Sequence, residues 1–231
     1  MRDDIARLKG DKAERKGAIF DVDGTLLDSM PIWMEAGARY LESLGKVPEE
    51  YLGERLFAMT MTEAAAYLND TYGLQKEIPE IIEEVNDIVE KFYFEEAPLK
   101  PGAIELLNWM RDSGMKIAVA TSSDYPLIEA AFKRLGIFEY FTEILTCSQV
   151  GVGKEKPLIY EKAALAMDTA PENTCVVEDA LHALLTAKKA GFFTIGVYDE
   201  ASAGNQKELQ KNADLYGENF YEILKKLRER S

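Results

Sequence analysis

The pattern that most constrains this chain is a set of short, nearly unbroken apolar runs separated by longer segments of helical period. The runs are Ala18-Ile19-Phe20, Lys116-Ile117-Ala118-Val119-Ala120, Cys175-Val176-Val177 and Phe193-Thr194-Ile195-Gly196-Val197. A strand with one wet face alternates apolar with polar residues, whereas a strand covered on both faces does not. These runs therefore read as buried strands of a parallel sheet, with weaker candidates at Ile144-Leu145-Thr146 and around Ala213-Asp214-Leu215. Between them, residues 102–113 place Ile104, Leu107 and Met110 on one stripe before Gly114. Residues 126–135 open near Pro126 and stop at Gly136, and segments 157–168 and 180–190 repeat the design. Strand and helix in alternation predict an α/β fold with a doubly wound, Rossmann-like parallel sheet.

One interval breaks the rhythm. From about residue 30 to residue 96 the pattern is helical only, over roughly 31–44, 62–72 and 79–94. This predicts a small all-helical lobe, residues 31–96, inserted after the first strand of a core formed by 17–30 and 97–231. Tyr72, Phe92, Tyr93 and Phe94 are expected in the core of that lobe, and Asp28 and Ser29 at the start of its first helix. Residues 1–16 hold ten charged side chains and read as a separate N-terminal arm.

Charge and cysteine content exclude several classes of function. The 231 residues include 41 acidic and 27 basic side chains, a net charge of −14 that repels nucleic acid and anionic lipid. Two cysteines cannot cage zinc alone and fit a reducing compartment. No apolar run reaches the roughly 18–20 residues of a membrane helix, and the first residues lack the apolar stretch of a signal peptide. The expectation is a cytoplasmic protein, a monomer or weak homodimer, with neither a membrane nor a nucleic-acid partner.

Chemistry gathers at the strand ends. The first run is followed by Asp21-Val22-Asp23-Gly24-Thr25, the second by Thr121-Ser122-Ser123, and the third by Glu178-Asp179. Ligands of open parallel sheets bind beyond the carboxyl ends of the strands, so these residues should share one rim. Four acids so close raise one another's pKa, and a hard cation such as Mg²⁺ relieves them. Lys154 lies in the loop Gly151-Val152-Gly153-Lys154 and could add positive charge. The simplest alternative is that Glu178 and Asp179 merely cap the following helix. His182, inside that helix, reads as an ordinary packed or surface residue.

The segment Asp21-Val22-Asp23-Gly24-Thr25-Leu26-Leu27-Asp28-Ser29 resembles the first signature of the haloacid dehalogenase superfamily. Thr121, Lys154 and Glu178-Asp179 follow in that family's order, and the helical insert occupies the position of its cap. The resemblance is nearest to the phosphatase and β-phosphoglucomutase-like branch. It implies that Asp21 attacks phosphorus and that Asp23 protonates the leaving oxygen and later deprotonates water. It further implies that Thr121 and Ser122 bind phosphoryl oxygens and that Lys154 neutralises charge. Mg²⁺ would be held by Asp21, the Asp23 carbonyl, Asp179 and, directly or from behind, Glu178. The lysine loop departs from the family pattern as Gly153-Lys154-Glu155-Lys156-Pro157-Leu158, which makes Lys156 a second candidate. Ala180 and Ala183 stand where the family commonly has serine and glycine.

The expected substrate is a small phosphorylated metabolite. Residues 31–96 carry five basic against fifteen acidic side chains, a local charge of −10, which disfavours di- and triphosphates and favours a monoester such as a sugar phosphate. Ser29, Met30, Trp33 and Arg55 are candidates for a substrate pocket, and Met34 for its wall. A phosphosugar mutase would need Arg55 for a second phosphate. A non-catalytic binding module on the same fold would be expected to lack some of Asp21, Asp23, Lys154 and Asp179, all of which are present.

Overall fold

The structure, a computed structural model, describes residues 15–230. The charged arm expected over 1–16 lies outside these residues except for its last two, which join the core. Lys16 N–H donates to Asn173 O at 2.8 Å, and Lys16 O accepts from Lys116 N–H at 2.9 Å. The Arg15 guanidinium lies 3.6 Å from the centre of the Phe193 ring.

Six strands form one parallel sheet: β1 (Gly17–Phe20), β2 (Lys116–Thr121), β3 (Glu143–Thr146), β4 (Thr174–Glu178), β5 (Phe193–Val197) and β6 (Leu215–Gly217). Their order is β3-β2-β1-β4-β5-β6. The doubly wound α/β sheet is therefore present, and both weaker sequence candidates are edge strands. Register pairs Ile19 with Ala118 on one side and with Val176 on the other. Because side chains alternate, these three share a face, where Ile159, Tyr160, Ala163 and Ala164 of helix Leu158–Ala166 cover them. Phe20 points the opposite way and meets Phe220 of helix Phe220–Arg230, ring centres 6.2 Å apart. A sheet wrapped on both faces explains why its central strands read as continuous apolar runs.

The chain divides into two compact units, one running to Asp28 and resuming at Pro98, the other comprising Ser29–Ala97. The second unit is helical: Pro31–Ser43, Leu52–Phe57, Met61–Tyr72 and Ile78–Glu95. Tyr40, Leu41, Leu52, Ala65, Leu68 and Ile81 form its core. Helix Met61–Tyr72 starts with a capping box, in which the Thr60 hydroxyl accepts from Glu63 N–H and Glu63 Oε2 accepts from Thr60 N–H at 2.8 Å. None of the helices in residues 1–231 that are described is long and apolar enough to cross a membrane.

Several local expectations need correction. Helix Leu52–Phe57 was not anticipated, because it is one and a half turns long, contains Gly53 and follows Tyr51 at φ +62°. The first insert helix starts on Met30 with no side-chain cap, so Asp28 and Ser29 do not cap it. Leu106, not Ile104, is fully buried beside Leu107 and Met110. Phe92 and Tyr93 are core residues of the helical unit, but Phe94 is 39% exposed.

Gly53 marks the closest approach in the helical unit. A β-carbon there would lie 2.1 Å from Met34 O, a backbone atom of the neighbouring helix that cannot swing aside. Gly53→Ala is expected to destabilise the protein by about 1–3 kcal/mol through this overpacking, read as a lower urea midpoint. An unchanged midpoint would show that the two helices have room to separate.

Candidate active site

β1 and β4 lie side by side where the strand order reverses, the place at which open α/β sheets leave a crevice beyond their carboxyl ends. Register sets Phe20 opposite Val177, so the residues that follow, Asp21 and Glu178, emerge at the same level. Asp21 N–H continues the ladder by donating to Val177 O at 3.0 Å. One carboxylate oxygen from each of Asp21, Glu178 and Asp179 falls within 4.8 Å of the others, and all three residues are buried.

Lys154 arrives from the loop after β3 and the short helix Cys147–Val150. Its ammonium donates to Asp21 Oδ1 and to Glu178 Oε1, the latter at 2.7 Å. Glu178 Oε1 also accepts from the Tyr160 hydroxyl at 2.8 Å. Asp179 takes the Thr25 hydroxyl on Oδ1 at 3.0 Å and the Ser202 hydroxyl on Oδ2 at 2.7 Å. Gly24, at φ +79°, makes this approach feasible: a β-carbon there would stand 3.0 Å from Asp179 Oδ2.

Burial pushes the Asp21 carboxyl up to about 6; Lys154 pulls it down, while Asp179 and Asp23 push it further up. Burial likewise raises Glu178 to about 7 against the pull of Lys154. Burial and the neighbouring Glu178 raise Asp179 to about 6. Burial disfavours the Lys154 ammonium, but Asp21 and Glu178 more than reverse this and hold it above the ordinary lysine range. When ionised, the three acids exceed the one base by two charges. Glu178 Oε2 is buried without a hydrogen-bond partner. An oxygen-only donor set, two surplus negative charges and an orphaned carboxylate oxygen fit a hard divalent cation.

The other residues singled out in the sequence divide between the two units. Asp23 is half-buried and receives the Ser123 hydroxyl on Oδ2 at 2.5 Å. Thr121 ends β2 fully buried, its hydroxyl accepting from Ser123 N–H at 3.0 Å. Ser122 is exposed, its hydroxyl 3.6 Å from Cys147 Sγ. Lys156 is exposed, and its peptide N–H closes a turn onto Gly153 O at 3.2 Å, so Lys154 is the lysine brought to the acids. Helix Leu181–Lys189 opens on Ala180 without a side-chain cap, which removes the helix-capping alternative for Glu178 and Asp179. His182 is exposed.

Ser29 and Met30 precede the first helix of the other unit, Ser29 fully buried. Trp33 lines an apolar hollow of about 210 Å³ there, with Leu56, Met61, Leu68 and Val85. Arg55 pairs with Glu49 at 3.0 Å and lies 5.3 Å from the centre of the Tyr67 ring. Sequence reasoning missed Thr25, Tyr160 and Ser202 as partners of the acids. Thr25 lies within the quoted signature and was legible there; Tyr160 and Ser202 depend on how distant segments meet.

Residues 15–191 match the family model of the haloacid dehalogenase-like hydrolases. The chain belongs to this family. It is 29% identical over 176 residues to a phosphorylated carbohydrates phosphatase of Thermotoga maritima, covering 76% of this chain and 82% of that protein. With hexitol phosphatase A of Escherichia coli it shares 30% identity over 198 residues, 84% of this chain and 88% of the relative. A crystal structure from Thermotoga maritima, provisionally assigned as a beta-phosphoglucomutase, superposes with a TM-score of 0.80 at 28% identity, covering 93% of this chain and 99% of that one.

The acidic rim of this haloacid dehalogenase-like hydrolase makes its metal-free stability depend on pH. Asp21, Glu178 and Asp179 have folded pKa values above their ordinary ones of 3.8 to 4.5. They hold protons more tightly folded than unfolded, so their contribution to stability is full below about pH 4 and is lost as pH rises through about 6 to 7. Glu178→Gln cannot ionise and escapes part of that loss. Thermal unfolding in chelator is expected to show a larger gain for this variant over the parent near pH 8 than near pH 5.5. An equal gain at both would mean that burial does not raise Glu178.

Proposed function

We propose that this hydrolase is a Mg²⁺-dependent phosphatase of small phosphorylated carbohydrates that carries the phosphoryl group transiently on Asp21. The observation that carries this reading is the placement of the Lys154 ammonium between Asp21 and Glu178, with Glu178 Oε2 left unpaired and Asp179 beside them. The carbohydrate part rests on the two curated relatives, which act on phosphorylated carbohydrates and hexitol phosphates by name.

Asp21 is the nucleophile in this reading. A bond forms from its carboxylate oxygen to phosphorus as the bond from phosphorus to the sugar oxygen breaks. Asp23, steadied by the Ser123 hydroxyl, gives its proton to the departing oxygen. It then takes a proton from the water that attacks the acylphosphate, which returns Asp21 and releases inorganic phosphate. Lys154 keeps Asp21 ionised and offsets charge on the phosphoryl oxygens, and Thr121 and Ser122 would add hydroxyl donors at the end of β2. Asp21, Asp179 and Glu178 would hold Mg²⁺, with the Asp23 carbonyl as a further ligand. Bound there, the ion supplies positive charge against the phosphoryl oxygens and lets the three acids ionise together. Cys147 and Cys175 are free thiols, which supports a cytoplasmic location.

Phosphate release from a panel of sugar, hexitol and nucleoside phosphates tests the reading. The expected result is Mg²⁺-dependent release, fastest on carbohydrate monoesters, and reduced about a thousandfold or more in Asp21→Asn. The resemblance to the Thermotoga maritima structure favours a mutase as second reading. Isomerisation of a sugar phosphate that needs a trace of bisphosphate, with no phosphate released, would establish it instead.

A further inference from the structure

Asp179 is held by hydroxyls from two other segments of the chain. Thr25 belongs to the loop after β1; Ser202 lies in the 3-10 turn Glu200–Asn205 after β5. The residue next to Asp179 is Ala180, which brings no hydroxyl. The turn bearing Ser202 is built on Asp199, whose Oδ1 accepts from Ala201 N–H at 2.9 Å and whose backbone O accepts from Ser202 N–H at 3.1 Å. Asp199 Oδ2 in turn receives the Lys100 ammonium at 2.6 Å. Lys100 is 11% exposed and gives its other two bonds to Gly24 O at 2.8 Å and Tyr198 O at 2.7 Å. An ammonium has three donors, so its capacity is used in full. One part-buried cation thus ties the loop after Asp21 to the turn that presents Ser202.

From this geometry we infer that Ser202 is a positioning residue for Asp179 and that the Lys100–Asp199 pair is the strut that holds Ser202 in place. The inference rests on the reading of Asp179 as a Mg²⁺ ligand. A carboxylate gripped on each oxygen by a hydroxyl cannot turn about its χ2 bond, so the lone pairs left free point in a fixed direction. Partners behind a ligand commonly govern metal affinity in this way.

The test is calorimetric titration of Mg²⁺ into the full chain without substrate, for the parent, Ser202→Ala, Lys100→Met and the double variant. Each single substitution is expected to weaken binding by about tenfold. The double variant should be no weaker than either single one, because both remove the same restraint. Ser202→Thr, which keeps the hydroxyl, should restore binding, and the metal-free thermal midpoint of Ser202→Ala should stay near that of the parent. In turnover assays the Mg²⁺ concentration for half-maximal rate should rise by the same factor while the KM for phosphoester does not change. If Lys100→Met does not fold, Asp199→Asn probes the strut and should show the same loss. Parental affinity in Ser202→Ala would overturn the positioning role, and multiplying losses in the double variant would overturn the strut. A parent that binds no Mg²⁺ would overturn the ligand reading itself, distinguishable because all variants would then be equally silent.

Discussion

The Lys154 ammonium between Asp21 and Glu178 is the interaction on which the rim depends. Each of these buried charges is costly alone, and removing one partner of such a group leaves the others uncompensated. The arrangement also joins the site to the core. Tyr160, which donates to Glu178, sits on helix Leu158–Ala166 between Ile159 and Ala163, and these side chains seal the sheet over Ile19, Ala118 and Val176. The packing that closes the core therefore also sets the distance from phenol to carboxylate. One lysine against three acids nonetheless leaves the rim short of positive charge, and this shortage is what suits it to a cation.

The sheet and the acids were legible because each depends on local pattern. A strand buried on both faces must be apolar throughout, and Asp21, Thr121 and Glu178-Asp179 stand where those runs stop. Lys154 could be separated from Lys156 only by the path of the loop: two residues along the chain turn the side chain from a buried pair to solvent. Tyr160 carried no signal of its own, since an aromatic residue in an apolar helix reads as core, which it also is. Ser202 and Asp199 share one turn, but Lys100 and Asp179 come from segments far from it in sequence, and nothing in the spacing of the chain indicates that they converge. Helix Leu52–Phe57 was hidden for a different reason. Its six residues contain a glycine whose use is steric, letting the helix cross Met34 O, whereas in isolation Gly53 reads as a break.

The cations of the helical unit bear on which phosphoryl chemistry the family member performs. Arg39 pairs with Glu35 and Glu96, Arg55 with Glu49, Lys76 with Glu80 and Glu84, and Lys91 approaches Glu95. These six glutamates come from the same unit, so four of its five bases are paired within it. A reaction that keeps a bisphosphate bound through reorientation needs a cation for the distal phosphate. The pairing of these bases within the insert thus weighs toward the proposed phosphatase over the mutase.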